Sequence, residues 1–355
     1  MDYERILING LNGMGDFVYY TPVLKAVRER YPEAHITLLN WLVTKDLAVN
    51  CPYIDELLVP EEMREQCLQH ASDVGTGFAK IINLKERYDL LLDFGCPPLS
   101  TLITIACRAR RRMSFKGGGP ADRFYTDLIE KNSHEHIIYQ YLKFLSLLEI
   151  GIPAAFPPPV WPPEQDKKDV AAFMKLNFRP DETLIGIHPG CGVVNRRWAP
   201  EKFAELADRL VETYGARIIL FGSRYIRTAE EDDSRADEVM AAEKISRLMK
   251  IKPVNLAGKG SMNQFAVVVT YLRLYIGHDT GPSHITAALN IPILTIFGPA
   301  NPALWQPLGR YSYIVRKEMD CSPCGASGCE DNRCLKELEV DQVWAACQQV
   351  IKDTA

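Results

Sequence analysis

The segment Asp279-Thr280-Gly281 places polar side chains and a glycine between an apolar run, which predicts a strand, and a pattern that predicts a helix. Free N–H groups at a helix N-terminus bind anions, and glycine lets a ligand approach the backbone closely. Thr280 and His284 add hydrogen-bond donors beside those N–H groups. The segment therefore predicts a site for a phosphate or carboxylate group. Loop capping is the alternative interpretation of Asp279.

Two arginines, Arg196 and Arg197, stand directly before Trp198 and a predicted helix. Guanidinium groups bind phosphate through parallel N–H bonds, so they can stabilise the charge that develops on a departing diphosphate. The alternative is a solvated pair of charges on a loop. Gly190 follows a predicted strand that ends at His188, and its missing side chain would let a ligand approach the backbone there.

A glycine-rich segment near the N-terminus ends in a carboxylate, Asp16. The spacing Gly10-x-x-Gly13-x-Gly15 differs from the G-x-G-x-x-G of dinucleotide-binding loops, which disfavours a dehydrogenase. Asp16 directly precedes a helix predicted from Phe17, where aspartate commonly caps the first turn. A carboxylate at the end of a strand and loop can also act as a general base. The residues alone leave both roles open.

Four of the ten cysteines lie close together in the sequence, and the other six are scattered singly. Thiolates are soft metal ligands, and the intervening glycines permit the tight turns that a tetrahedral site needs. A structural zinc or iron is therefore one interpretation of the cluster, while disulfides and unligated thiols are the others. The four are Cys321, Cys324, Cys329 and Cys334.

The elements that must position these residues alternate between strand and helix along the whole chain. This alternation predicts parallel sheets with helices on both faces. The length of 355 residues favours two domains, and a proline-rich stretch at 151–163 predicts the boundary between them. We expect two doubly wound α/β domains, Rossmann-like and facing a central cleft. Their expected ranges are 1–155 and 181–335, with a linker at 156–180 and a C-terminal helix at 336–355.

Composition excludes several classes of protein. A net charge of -4 gives no basic surface for nucleic acid. No apolar run reaches the roughly 20 residues that a membrane-spanning helix needs, and the N-terminus lacks a signal-peptide pattern. We expect a cytoplasmic protein, compatible with peripheral association at the inner face of the cytoplasmic membrane.

The ordered set of motifs resembles glycosyltransferase family 9, the bacterial ADP-heptose:lipopolysaccharide heptosyltransferases. The resemblance covers nearly the whole chain and implies a GT-B fold and an inverting transfer that requires no metal or other cofactor. It implies an ADP-sugar donor carrying heptose or a related sugar, and a lipopolysaccharide core or other surface glycan as acceptor. The motifs are Leu11 to Asp16 with Thr21-Pro22, His188-Pro189-Gly190, Arg196 to Pro200, Phe221-Gly222, Asp279-Thr280-Gly281-x-x-His284 and Phe297-Gly298-Pro299.

The resemblance also implies roles for individual residues. Asp16 matches the position of the general base, and Gly13 and Gly15 keep the acceptor side of its loop small. Arg196 matches a position at which the family usually has lysine. Donor contacts are implied for Gly190, Arg196, Arg197, Met262, Asp279, Thr280, Gly281 and His284, and for Glu230 or Glu231 at the ribose. Cysteine-rich tails occur in many members, and relatives that heptosylate autotransporter proteins bind iron through them.

Two other functions fit a chain of this kind. A nucleotide-sugar 2-epimerase of similar fold would convert the donor without any acceptor. A non-catalytic protein would bind the ADP-sugar and transfer nothing. The resemblance implies that the N-terminal domain binds the acceptor and the C-terminal domain binds the donor. The expected acceptor is lipid-linked or another glycan.

Overall fold

The computed structural model describes residues 2–59, 87–95, 99–193, 196–223, 238–325, 329 and 331–354. The chain divides into two compact units, Met1–Trp161 and Pro162–Ala355. The boundary lies inside the stretch expected as a linker, and the helix Glu164–Asn177 occupies much of that stretch. Val170 and Met174 of this helix pack into the core of the second unit, so their burial makes the helix part of that unit.

The first unit is a parallel sheet with helices. Its strands are β1 (Arg5–Gly10), β2 (His35–Asn40), β3 (Glu56–Leu58), β4 (Leu90–Asp93), β5 (Arg111–Phe115) and β6 (Asp127–Ile129). Its described helices are α1 (Met14–Arg30), α2 (Lys45–Ala48), α3 (Leu99–Cys107) and α4 (Ile137–Leu147), with 3-10 turns at Leu42–Thr44 and Pro120–Phe124.

The second unit repeats this plan. Its strands are β7 (Leu184–His188), β8 (Arg217–Leu220), β9 (Val254–Asn255), β10 (Leu274–His278), β11 (Ile293–Phe297) and β12 (Ser312–Arg316). Its described helices are α5 (Glu164–Asn177), α6 (Pro200–Tyr214), α7 (Glu238–Leu248), α8 (Met262–Val269), α9 (Gly281–Ala288), α10 (Pro302–Trp305), α11 (Arg333–Lys336) and α12 (Val340–Asp353).

Both sheets have the strand order of the dinucleotide-binding fold. The orders are β3-β2-β1-β4-β5-β6 and β12-β11-β10-β7-β8-β9, and the second is the same order when it is read from its other edge. All the pairings are parallel, and β1, β4, β7 and β10 are buried almost throughout, as expected for central strands covered on both faces. The prediction of two doubly wound α/β domains is confirmed.

The order of the strands identifies where a ligand can bind in each unit. The chain leaves β1 towards one side of the sheet and leaves β4 towards the other, and β7 and β10 behave in the same way. Crevices form outside the carboxyl ends of strands at such switch points. The residues that follow β1, β4, β7 and β10 are therefore the candidates for a functional site.

Among the described residues, no helix combines the length and the apolar character needed to cross a membrane.

Candidate functional site

The carboxylate of Asp279, directly after β10, lies between two basic side chains. His284 Nε2 is 3.1 Å from Asp279 Oδ1, and Arg196 Nη1 is 3.8 Å from Asp279 Oδ2. The side chains of Asp279 and His284 are only 10% and 5% exposed. Arg196 Nε is buried and has no hydrogen-bond partner among the described residues. A buried guanidinium N–H without a partner is costly, so this group is suited to bind an anionic ligand.

The helix that follows β10 begins at the expected position. Thr280 is the residue that precedes α9, and its backbone is extended. Its side chain makes no capping bond to the helix, while Ser283 Oγ donates to the carbonyl of His278 at 2.5 Å. The N-terminus of α9 therefore adds the positive end of its backbone dipoles to the basic surroundings of Asp279.

His278, the last residue of β10, connects the end of this strand to the loop between β7 and α6. The backbone N–H of Trp198 donates to its Nε2 at 2.8 Å, so the ring proton is on Nδ1 and is directed at the carbonyl of Gly190, 3.2 Å away. Burial lowers the pKa of His278 to about 3, so the ring is neutral. No motif in the sequence pointed to a role for His278. A polar residue at the end of an apolar strand was the available signal.

The loop before α6 is fixed on both sides. Trp198 is buried, its ring packs edge-to-face on Phe203 at 4.9 Å, and its Nε1 donates to the carbonyl of Leu338. Arg197 Nε donates to the carbonyl of Cys191 at 2.7 Å. These contacts orient Arg196 towards Asp279, while the Arg197 bond links two parts of the loop between β7 and α6.

A carboxylate that the sequence analysis missed lies at the ends of β7 and β8. Glu238 Oε2 accepts the backbone N–H of Ser223 at 2.7 Å and is 3.4 Å from His188 Nε2. A Cβ built on Gly190 would lie 2.2 Å from the Glu238 side chain, so any larger residue there would displace this carboxylate. Glu230 and Glu231, which were expected to provide this acid, lie outside the described residues. Glu238 lies further along the sequence, and its approach to the strand ends depends on tertiary packing.

Met262 lies at the start of α8, after the turn that follows β9. Ser261 caps this helix and forms a capping box with Gln264. The N–H of Gly258 in the turn donates to the carbonyl of Gly222 at 2.8 Å. This bond joins the turn before Met262 to the loop after β8.

In the first unit, helix α1 begins at Met14, three residues earlier than predicted. Gly13 is the N-cap, and the N–H of Phe17 donates to its carbonyl at 3.1 Å. Asp16 is therefore in the first helical turn and is not the N-cap, and Gly15 is also helical. The alternative interpretation, that Asp16 caps the first turn of α1, was wrong, because Gly13 occupies the N-cap without a side-chain hydrogen bond.

The hydroxyl of Tyr141 on α4 donates to Asp16 Oδ1 at 2.9 Å. Beside this pair, Asp93 at the end of β4 accepts hydrogen bonds from Asn9 Nδ2 at 2.7 Å and from Ser100 Oγ at 3.0 Å. Burial raises the pKa of Asp93. Asn9 Oδ1 in turn accepts the N–H of Leu11, so the loop after β1 is fixed by side chains that the sequence analysis did not select.

Comparison with known proteins decides the family. The family model described as glycosyltransferase family 9 (heptosyltransferase) matches residues 79–334. The chain belongs to this family. It is therefore a glycosyltransferase, which is the enzyme class that the motifs predicted.

Curated relatives and solved structures match most of the chain. Lipooligosaccharide heptosyltransferase 2 of Haemophilus influenzae is 25% identical over 325 residues, which is 88% of each chain. The structure of a family 9 glycosyltransferase from Veillonella parvula has a TM-score of 0.81 at 21% identity and covers 99% of this chain and 98% of its own. The Escherichia coli ADP-heptose lps heptosyltransferase II has a TM-score of 0.74 at 19% identity, covering 98% and 99%.

In this family 9 enzyme the structure brings most of the expected donor residues to one edge of the second sheet. Arg196, Asp279 and His284 are in one set of contacts, and Gly190 is joined to it through His278. Whether these residues bind a nucleotide sugar stays a prediction.

The four clustered cysteines lie after β12, in the C-terminal part of the second unit. Cys321 and Cys324 are exposed, Cys329 is half-buried and Cys334 is buried. Burial, and then the charges of the other three thiols, raise the pKa of Cys334. Within the described ranges, no group of three or more His, Cys, Asp or Glu side chains is arranged to bind a metal ion.

Proposed function

We propose that this glycosyltransferase moves heptose from an ADP-sugar donor to a lipopolysaccharide core acceptor, with inversion at the anomeric carbon. The names of the relatives support the sugar and the acceptor, since they are lipooligosaccharide and ADP-heptose heptosyltransferases. The observation that carries the proposal is the Arg196–Asp279–His284 set, which lies at the switch point of the second sheet.

For the donor, we assign the diphosphate to Arg196 and the start of α9. Arg196 would stabilise the charge that develops as the anomeric C–O bond breaks, and Thr280 and Gly281 would place the helix N-terminus against the phosphates. Asp279 would accept sugar hydroxyls, with His284 orienting its carboxylate. The turn before Met262 would line the adenine.

For the ribose, we assign Glu238. Rossmann-type folds bind ribose hydroxyls with an acid from the end of the second strand, and Glu238 lies beside the end of β8, the second strand of this sheet. Glu230 and Glu231 remain the acids predicted from sequence. Replacing Glu238 with Gln should weaken ADP binding about tenfold, because a hydrogen bond to a charged group contributes about 1.5–3 kcal/mol. Calorimetric titration with ADP measures this, with Glu243→Gln on the same helix as control.

For the acceptor, we assign Asp16 as the general base. Its carboxylate would take the proton of the attacking hydroxyl as the oxygen bonds to the anomeric carbon and ADP leaves from the opposite face. Gly13 and Gly15 would leave room for the acceptor sugar beside it.

The test is release of ADP from ADP-heptose in the presence of a panel of truncated lipooligosaccharides. The unaltered enzyme should release ADP only with an acceptor present. Asp16→Ala should lower turnover by about 10²–10⁴-fold, the usual contribution of a general base, while the Kd for ADP stays within about twofold. Asp341→Ala is the matched control, because Asp341 is also in the first turn of a helix and is 82% exposed. Near-normal turnover of Asp16→Ala would remove the base assignment, and binding of ADP-heptose without any transfer would favour a non-catalytic protein.

At the cysteine cluster, we propose a structural zinc or iron with no part in the transfer. The other three thiols are near enough to add to the effect of burial in raising the pKa of Cys334, which supports a common site, although the described arrangement does not itself form a ligand set. Metal binding would then require the four thiols to move together. Elemental analysis of the purified protein, with Cys321→Ser and Cys324→Ser as comparison, tests this. Equal metal content in the unaltered protein and in the two variants would contradict the proposal.

For location, we propose the cytoplasm with peripheral contact to the inner face of the cytoplasmic membrane. The acceptors in the names of the relatives are anchored glycolipids. On α3, Leu102 and Ile105 are 37% and 51% exposed, and the side chain of Arg110 beyond the helix is 85% exposed. Apolar and basic groups together favour an anionic lipid surface. Sedimentation with vesicles containing anionic lipid should be lost in Ile105→Asp.

A further inference from the structure

The hydroxyl group of Tyr141 has its proton directed at Asp16. The phenol donates to Asp16 Oδ1 at 2.9 Å, while Asn12 Nδ2 lies 3.4 Å from the phenol oxygen and donates to it. Asn12 Nδ2 also donates to the carbonyl of Phe94, at the end of β4. Since an amide can only donate through this atom, the phenol must use its single proton on the carboxylate.

The ring of Tyr141 is held in place by other aromatic rings. Its centroid is 5.2 Å from that of Phe94, 5.6 Å from that of Phe115 and 5.9 Å from that of Tyr20, all in edge-to-face arrangements. The residue is 3% exposed, and α4, on which it lies, packs against α1. A hydroxyl on such a ring has a fixed position, so it can fix the position of the group it contacts.

The two oxygens of Asp16 have different surroundings. Oδ1 accepts the Tyr141 hydroxyl, whereas Oδ2 lies on the side of Gly13. A Cβ built on Gly13 would meet only Asp16 Oδ2 within 4 Å of the described atoms, at 3.5 Å. The space that this missing side chain leaves is therefore next to Oδ2.

We propose that Tyr141 is a positioning residue that fixes the Asp16 carboxylate through Oδ1 and presents Oδ2 to the acceptor hydroxyl. This inference rests on the proposed role of Asp16 as the general base. In the transfer, the acceptor O–H bond breaks, its proton passes to Oδ2, and its oxygen bonds to the anomeric carbon as ADP departs with the electrons of the C–O bond. Tyr141 keeps its own proton throughout.

Removing the hydroxyl should change turnover more than substrate binding. In Tyr141→Phe the ring still fills its place, but the carboxylate can rotate away from the productive orientation. We expect kcat to fall about tenfold while the KM for ADP-heptose stays within about twofold, since the donor contacts are elsewhere.

The same substitution should change the pH profile. A hydrogen bond to a carboxylate stabilises its charged form and lowers its pKa, so losing the bond raises that pKa. The acid limb of kcat should therefore move up by about one pH unit, which corresponds to about 1.4 kcal/mol. Titratable neighbours of the pair include Tyr20 on α1 and Asp93 on β4. Burial and the charge of Asp16 raise the pKa of Tyr20 far above this range, and burial raises the pKa of Asp93.

The experiment measures ADP release against pH with ADP-heptose and a lipooligosaccharide truncated at its first heptose. Tyr139→Phe is the matched control, because it removes a hydroxyl from the same helix at a position that is 50% exposed. It should match the unaltered enzyme in kcat, KM and acid limb. Thermal unfolding of each variant shows whether the fold is intact.

The outcomes distinguish the positioning role of Tyr141 from the proposed role of Asp16 as the general base. A Tyr141→Phe variant with reduced kcat, unchanged KM and a raised acid limb supports the positioning role. If Asp16→Ala is inactive but Tyr141→Phe has normal kcat and an unmoved limb, the inference about Tyr141 is wrong while Asp16 remains the base. If kcat falls together with the melting temperature and the limb does not move, Tyr141 is structural only. If Asp16→Ala turns over normally, the proposed function of Asp16 is wrong, and the inference with it.

Discussion

At the scale of residues, the chemistry depends on polar groups whose partners are far apart in the sequence. Tyr141 and Asp16 are separated by 125 positions, and His278 and Trp198 by 80. Each contact restricts a group that would otherwise sample several rotamers. Arg196 differs from these, because its Nε is buried without a partner among the described residues.

Because its Nε has no partner among the described residues, Arg196 is the residue of the proposed donor site whose loss should lower activity most. Arg196→Ala should lower kcat/KM about 10²-fold, because charge developing on the leaving diphosphate loses its strongest donor. Arg209→Ala is a suitable control, since Arg209 forms exposed pairs with Glu205 and Asp341. Steady-state rates of ADP release measure both. A loss in Arg196→Ala no larger than that in Arg209→Ala would contradict the assignment.

At the scale of elements, the ends of the central strands bring the loops together. His278 ends β10 and bonds to Gly190 and Trp198, near the two ends of the loop between β7 and α6. Because both ring nitrogens are used in the neutral form, a proton on Nε2 would break the bond from Trp198. The geometry of this edge therefore depends on the ring staying neutral.

The buried neutral His278 predicts a pH dependence of stability. Its pKa is about 3 in the folded protein against about 6.5 ordinarily, because burial disfavours the charged ring. The unfolded chain thus binds the extra proton first, and the free energy of unfolding should decrease as pH falls from about 6.5 towards 3, by up to about 1.4 kcal/mol per unit. Urea midpoints against pH measure this. His278→Gln should have a flatter dependence than the unaltered protein, and equal slopes would contradict the prediction.

Features that depend on local interactions could be predicted from the sequence, whereas features that depend on contacts between distant residues could not. Asp279, Thr280 and Gly281 were found because strand, turn and helix signals are local and adjacent. The start of α1 was placed three residues late, because Gly13 caps it without the polar side chain that marks most helix starts. Glu238 was missed, because its approach to Gly190 depends on how α7 packs against the ends of β7 and β8.

At the scale of the whole molecule, the chain repeats one plan twice. Both six-stranded sheets of the described residues have the same order, and each has polar groups at its own switch point. The first unit has a carboxylate, Asp16, and the second has a basic set around Asp279. The alternation of elements predicted this class of fold, whereas the strand order required the structure, since order depends on which apolar faces pack together.

The central claim is that this family 9 enzyme transfers heptose with inversion. The most direct measurement incubates it with ADP-heptose and a lipooligosaccharide truncated at its first heptose, and follows ADP by chromatography and the product by mass spectrometry and NMR. We expect one heptose added per ADP released, with the anomeric configuration opposite to that of the donor. An unmodified acceptor despite donor binding, or a product that retains the donor's configuration, would contradict it.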